Sequence, residues 1–259
     1  MKPRFLSPLA LLLTQALWLQ SAWADPEIMV HENDLAERGE VVATLHANHS
    51  LRGDQVREPG SWPADKLTFL MAEFATGIAP GWEVGIHLPI MRAGVAGEDA
   101  RAGEWGGSAV MFRLKHITEL DNGFFYGFNS EYDINAKRYV NDPRSIEFRG
   151  IVGYDAEHFR FTVNPHLIWG YGRAGMDHRP DFNVDWKLLH KLRKDYAWGV
   201  ELYGDGGKWN DLQPGAGDRT LYLVSESETR WGSWHIGVGR GFKETPERTI
   251  IKAVLSTAF

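Results

Sequence analysis

The chain has 259 residues and a formal net charge of −6 at pH 7, which excludes the basic footprint of a nucleic-acid-binding protein. It contains no cysteine, which excludes a disulfide framework and a thiolate zinc site. Beyond the first residues, no apolar run approaches the ~18 residues typical of a transmembrane helix, so any membrane crossing is made by strands.

The first 24 residues have the pattern of a secretory signal peptide. Lys2 and Arg4 precede an apolar stretch, and the tripeptide Ala22–Ala24 matches a small-residue cleavage site. We predict a signal peptide over residues 1–24, cleaved near Ala24. The alternative is a retained anchor helix, for which the apolar stretch is short, because a spanning helix needs ~20 apolar residues. Without Lys2 and Arg4 the mature chain has a net charge of −8.

The next segment, residues 25–39, is too polar for a membrane strand. It contains Glu27, His31, Glu32 and Asp34. It could plug the lumen of a barrel or lie loose in the periplasm, and a loose arrangement is the default for a chain terminus. We therefore predict a polar N-terminal periplasmic segment, followed by a single barrel domain over residues 40–259.

From residue 40 onward, segments of about ten residues alternate apolar with polar side chains and are separated by Gly, Pro, Asn and Asp. Trp82, Val84 and Ile86 share one face of such a segment, while Glu83 and His87 share the other. The length fits the ~9–11 residues that a tilted membrane strand needs. We predict twelve strands, over residues 40–49, 66–78, 82–92, 105–117, 124–135, 144–154, 158–170, 181–191, 196–204, 218–228, 232–241 and 248–259.

Short and long connections alternate strictly between these strands. The short ones are residues 79–81, 119–123, 155–157, 192–195 and 229–231. A soluble sandwich or a lipocalin-like barrel also alternates polar and apolar residues. Alternating connection lengths are instead typical of short periplasmic turns and longer extracellular loops. The predicted fold class is therefore all-β, a closed antiparallel transmembrane β-barrel of about twelve strands.

Two segments resemble a known family. Residues 73–89 read EFATGIAPGWEVGIHLP, which resembles the hairpin pattern of the proteobacterial outer-membrane barrels of the MetA-pathway of phenol degradation family. Gly106-Gly107 leading into residues 110–115 is similar to that family's next strand, although it lacks the acidic residue often found after the glycine pair. The resemblance implies a porin-like transporter in the outer membrane of a Gram-negative bacterium. It does not identify the substrate.

The terminal strand ends on an aromatic residue, Phe259, whose face it shares with Leu255 and Thr257. This ending resembles the signal by which outer-membrane barrels are delivered to the barrel-assembly machinery. The alternative is a soluble strand that happens to stop at phenylalanine. The expected partners are this machinery, outer-membrane lipids and a small-molecule solute, with no nucleic acid.

Charged and imidazole side chains lie consistently opposite the apolar positions of the strands. Because a charge facing lipid near the bilayer midplane costs several kcal/mol, we predict that these side chains line the lumen. They are Glu73, Glu83, His87, Arg113, Lys115, Glu131, Asp133, Glu147, Arg149, Arg160, His166, Asp185, Lys187, Glu201, Glu226 and Lys252.

Folding each hairpin about its short turn pairs these lumen residues across strands. The predicted pairs are Glu73 with His87, Arg113 with Glu131, and Lys187 with Glu201. Such pairs either neutralise and rigidify a narrow interior or form a charged lining that sorts solutes.

The predicted function is an outer-membrane channel that passes a small solute through a narrow polar lumen. One alternative is a structural barrel with a sealed lumen and loops that bind; another is a lipid-modifying outer-membrane enzyme. An enzyme needs a serine within hydrogen-bond reach of a histidine, whereas Ser108 and His116 on one strand are ~26 Å apart. We therefore expect no enzymatic activity. His46 and His49, three residues apart in a strand, face opposite sides and cannot bind one metal ion together, so we also expect no metal and no cofactor.

Overall fold

In the part of the chain that the structure describes, twelve long antiparallel strands form one closed ring. The structure, a computed structural model, describes residues 27–55, 62–96, 101–136, 143–171, 179–213, 217–243 and 245–259. The predicted signal peptide lies outside these ranges, as does part of each longer link. Within them, no helix is long and apolar enough to cross a membrane.

The strands follow one another around the ring in chain order. The twelve long strands are β1 (Val41–Gly53), β2 (Thr68–Ala79), β3 (Trp82–Arg92), β5 (Ala109–Glu119), β6 (Phe124–Asn135), β7 (Arg144–Asp155), β8 (Phe159–Tyr171), β9 (Asp181–Arg193), β10 (Tyr196–Lys208), β12 (Arg219–Thr229), β13 (Gly232–Phe242) and β14 (Glu247–Ala258). Two short strands, β4 (Trp105–Gly107) and β11 (Asp211–Leu212), pair with β3 and β10. Pairing of β1 with β14 closes the ring, which confirms the predicted fold class and strand number.

The predicted strand over residues 105–117 is divided in two. The register runs to His87↔Met111 and resumes one residue out of phase at Ile90↔Gly107. Pro89 lies at this break and has no N–H group for the ladder. Its carbonyl oxygen instead accepts a hydrogen bond from the Ser108 N–H group at 3.0 Å. The interruption is therefore a bulge opposite a proline.

The outer surface of the ring is apolar. In β7, Phe148 and Val152 point outward and are 47% and 53% exposed, while their neighbours Glu147 and Arg149 point inward and are buried. The same alternation exposes Leu188 in β9 and Leu223 in β12. A soluble barrel has the opposite arrangement, so this outer belt is suited to contact with acyl chains.

Charge substitutions on the outer belt are expected to depend on depth. Leu223 lies near the middle of β12 and Leu192 near the end of β9, and they are 55% and 56% exposed. Leu223→Arg should lower the free energy of unfolding of the barrel in lipid vesicles by about 2–4 kcal/mol, and Leu192→Arg by about 0–1 kcal/mol, because only the first charge is held near the midplane. Urea titrations of folding in vesicles measure both values. Equal losses at the two positions would contradict a membrane-embedded belt.

Candidate functional site

The predicted lumen residues all lie on the inner face of the ring. Nearly all are buried, and Arg160 and Glu226 are partly buried, each with a side chain about a quarter exposed. The register also pairs Glu73 with His87, Arg113 with Glu131, and Lys187 with Glu201, as the hairpin geometry predicts. Their side chains form larger groups than these pairs, however, and three such groups follow one another around the wall.

The first group surrounds Arg113 on β5. Its Nη2 atom lies 2.5 Å from Glu73 Oε1 and 2.5 Å from Glu83 Oε1, so it bridges carboxylates of β2 and β3. His46 Nε2 on β1 is 3.0 Å from the other oxygen of Glu73, and His87 Nε2 is 3.7 Å from Oε1. One guanidinium group thus serves two buried carboxylates.

The second group surrounds Arg149 on β7. Its Nε donates to Glu147 Oε1 at 2.6 Å and its Nη1 to Asp185 Oδ2 at 2.8 Å. His166 lies between the same two carboxylates, with Nδ1 3.2 Å from Glu147 and Nε2 3.3 Å from Asp185. This group ties β7, β8 and β9 together.

The third group centres on Glu201, which is fully buried on β10. Its carboxylate accepts hydrogen bonds from the Lys252 ammonium group and, at 2.8 Å, from the Tyr203 hydroxyl. His235 Nε2 lies 3.2 Å from it. The neighbouring Lys187 donates to Glu226 at 2.7 Å.

Residues 27–36 of the N-terminal segment lie against the inner wall of the barrel, which differs from the loose arrangement expected by default for a chain terminus. Of these residues, Glu27 and His31 are buried, at 2% and 0% exposure. The His31 N–H group donates to Asn164 Oδ1 at 2.7 Å, and Asn164 Nδ2 donates to the His31 carbonyl at 3.0 Å. A backbone in an open lumen would bond to water, and here the wall supplies the partners instead.

Four further contacts fix the segment along its length. The Ala36 N–H group donates to Glu83 Oε2 at 2.6 Å. Three lysines of the wall also donate hydrogen bonds of 2.7–3.0 Å to the segment. Lys115 donates to the Asp34 carbonyl, Lys187 to the Glu32 carboxylate and Lys252 to the Ile28 carbonyl. Arg38 forms an isolated bridge with Gly77 near the end of β2. The segment therefore enters at the end of the ring where the short turns lie and continues into the lumen.

Sequence reasoning missed Asn164 and Thr162, which bind the segment from β8. Asn164 is fully buried, and the Thr162 hydroxyl donates to Glu32 Oε1 at 3.1 Å. Their positions on the inner face, opposite apolar neighbours, are readable in the sequence. Because uncharged polar residues are common on a wet wall, this position alone does not mark them as binding residues. Only their contacts with Glu32 and His31 in the structure identify them as residues that bind the segment.

Burial also sets the ionisation state within the segment. The loss of hydration lowers the pKa of His31 below its ordinary value, although the adjacent Glu27 carboxylate opposes this shift. The His31 ring is therefore neutral at pH 7. Hydrogen bonds and ion pairs link the segment to Asn164, Lys187 and Lys252 of the inner wall.

No protein-family model matches the sequence, and no curated protein matches it. Solved structures do resemble the fold. An outer membrane channel from Pseudomonas putida F1 has a TM-score of 0.61 at 11% identity, over 90% of this chain and 100% of that one. The KdgM porin has a TM-score of 0.56 at 9% identity, over 85% and 99% of the two chains. The NanC porin has a TM-score of 0.53 at 9% identity, over 85% and 98%. The chain therefore has the fold of outer-membrane β-barrels.

Proposed function

We propose that the protein is a channel of the Gram-negative outer membrane that passes a small solute through a polar lumen, with the N-terminal segment as its closing element. One observation carries this proposal. The segment occupies the lumen through hydrogen bonds and ion pairs with a charged wall, and apart from the Arg38–Gly77 bridge it is not part of the sheet. It can therefore leave without breaking the ring.

The width of the ring supports a pathway of this kind. Barrels of about eight strands are filled by their own side chains, and porins of about sixteen or more hold an aqueous channel. A ring of twelve strands lies between these cases, and here the remaining space holds residues 27–39. Departure of the segment would leave a narrow passage lined by both signs of charge, which favours slow and selective transport of a polar solute.

The apolar belt supports the outer membrane as the location, with its lipids as partners. A signal peptide cleaved near Ala24 would direct export, and the final residue, Phe259, would present the last strand to the barrel-assembly machinery. The resemblance of residues 73–89 to the MetA-pathway barrels supports the same location and leaves the solute unidentified. The porins and the channel that share the fold support the same class of function.

The purified mature protein is expected to give discrete, infrequent conductance steps in planar lipid bilayers, because a closed lumen conducts only when the segment leaves. Reversal potentials under a salt gradient then report the selectivity of the wall. Insertion is checked by heat-modifiable migration on gels. Absence of conductance at all voltages, both in the mature chain and in a chain lacking residues 25–39, would contradict a channel.

The burial of the inner wall also favours a second candidate, a sealed barrel that binds through its longer loops. In that case the truncated chain would insert, migrate as a folded barrel and still not conduct. Release of fatty acids from labelled lipids would instead indicate the lipid-modifying enzyme.

A further inference from the structure

A buried cluster of imidazoles and carboxylates lies where the N-terminal segment meets the wall. The atoms of Glu27, His31 and Glu131 that can bind a metal lie within 4.8 Å of one another, and so do those of Glu27, His46 and Glu73. All five residues are buried, and Glu27 belongs to both groups. The five come from the segment and from β1, β2 and β6.

The histidines of this cluster have unused ring nitrogens. Among the described residues, Nδ1 of His31 and Nδ1 of His46 have no hydrogen-bond partner, although the two side chains are 0% and 1% exposed. His31 Nε2 lies 3.3 Å from Glu27 Oε2, so the imidazole and the carboxylate are in direct contact. A buried polar atom without a partner costs about 1–3 kcal/mol, so such atoms together require an explanation.

The spacing of Glu27, His31 and Glu131 fits a single metal ion. Four ligands around Zn²⁺ with bonds of about 2.0–2.1 Å lie about 3.3 Å from one another. The His31 Nε2–Glu27 Oε2 distance is 3.3 Å. Glu27 and Glu131 place two buried carboxylates beside the His31 imidazole, and a divalent cation would add to the Arg113 guanidinium in offsetting their negative charge.

We propose that Glu27, His31 and Glu131 bind one divalent transition-metal ion of the zinc class. Mixed imidazole and carboxylate ligands suit Zn²⁺ and its first-row neighbours, whereas Mg²⁺ and Ca²⁺ prefer oxygen ligands alone. Because Glu27 and His31 belong to the segment and Glu131 to the wall, the ion cross-links the segment to the barrel. The site does not depend on conduction, since it requires only the folded barrel with its segment inside.

The sequence predicts no metal because it contains no compact ligand motif. His49 indeed faces away from His46, and its Nδ1 lies 3.0 Å from the Thr68 hydroxyl. The ligands are instead brought together by burial of the segment. A site assembled in this way leaves no signature in residue spacing.

Zinc titration of the mature protein in detergent, after chelator treatment, tests the site. Isothermal calorimetry should show one equivalent of Zn²⁺ bound, with no heat from Mg²⁺ or Ca²⁺ at the same concentrations. The double variant Glu27→Gln/His31→Gln changes no strand residue, so the barrel should still fold. It should bind zinc at least about 100-fold more weakly, since loss of even an outer-shell partner costs about 10–100-fold.

His49→Gln is the matched control, because it removes a histidine from the same strand as His46 without touching the cluster. Its zinc affinity should equal that of the unmodified chain. The proposal is overturned if the unmodified chain takes up no zinc, or if the double variant binds it equally well. A barrel that binds zinc but never conducts would contradict the channel and leave the metal site standing.

Discussion

A chain that lacks residues 25–39 is expected to conduct steadily where the complete mature chain conducts only in brief events. The deletion removes the described segment that lies in the lumen, with its contacts to Asn164, Lys115, Lys187 and Lys252. Each hydrogen bond contributes about 0.5–1.5 kcal/mol. Since 1.4 kcal/mol is a factor of ten in population, the mean current per inserted barrel should rise at least about tenfold.

Single substitutions provide the graded version of this experiment. Asn164→Ala removes both hydrogen bonds to the His31 backbone and should give a smaller rise in open probability. Ser145→Ala is the matched control on the inner wall, because the Ser145 hydroxyl bonds to Asp133. Its current should equal that of the unmodified chain. Equal mean currents in the truncated and complete chains would show that the segment does not control passage.

Replacement of Arg113 by alanine is expected to destabilise the barrel strongly and to change its ion selectivity. The guanidinium group neutralises both Glu73 and Glu83, which are 4% and 3% exposed. Removing one partner from a buried charge group costs about 3–5 kcal/mol, because the remaining charges stay buried. Urea titration in vesicles measures the loss, and the reversal potential should shift towards cations.

Two controls separate the charge effect from lost packing. Arg240→Ala removes an exposed arginine of β13 and should change stability by no more than about 0.5 kcal/mol. In the Arg113→Ala background, Glu83→Gln should restore part of the lost stability, because one uncompensated charge is removed. If Glu83→Gln instead lowers the stability of the Arg113→Ala variant further, Arg113 stabilises the barrel through packing and the electrostatic explanation is wrong.

The fold is predictable from the sequence because its information is local. The two-residue period assigns each side chain to the inner or outer face, and a short turn fixes the partner strand and the register. Glu73 therefore faces His87, and Lys187 faces Glu201, without any knowledge of distant residues. The bulge opposite Pro89 is the main local departure, and the proline that causes it is visible in the sequence.

The contents of the lumen are not predictable in this way, because they depend on contacts between distant residues. Residues 25–39 have no period, and their polar composition fits water as well as a charged wall. The partners of Glu32 and His31 lie 130 or more positions along the chain. Arg113 likewise reaches beyond its predicted partner Glu131 to the carboxylates of β2 and β3. Pairing two strands about a short turn predicts only the residue directly opposite on the adjacent strand.

Closure between β1 and β14 makes the last strand indispensable. A chain ending before Glu247 would present two unpaired strand edges at once, each a template for aggregation. It would also lack Lys252, which neutralises the buried Glu201 and bonds to the Ile28 carbonyl. Premature termination near the carboxyl end therefore removes the sheet closure, a buried counter-charge and a contact that holds the N-terminal segment. Because all three are lost together, we expect a shortened chain to lose its folded barrel, and with it all function, at once.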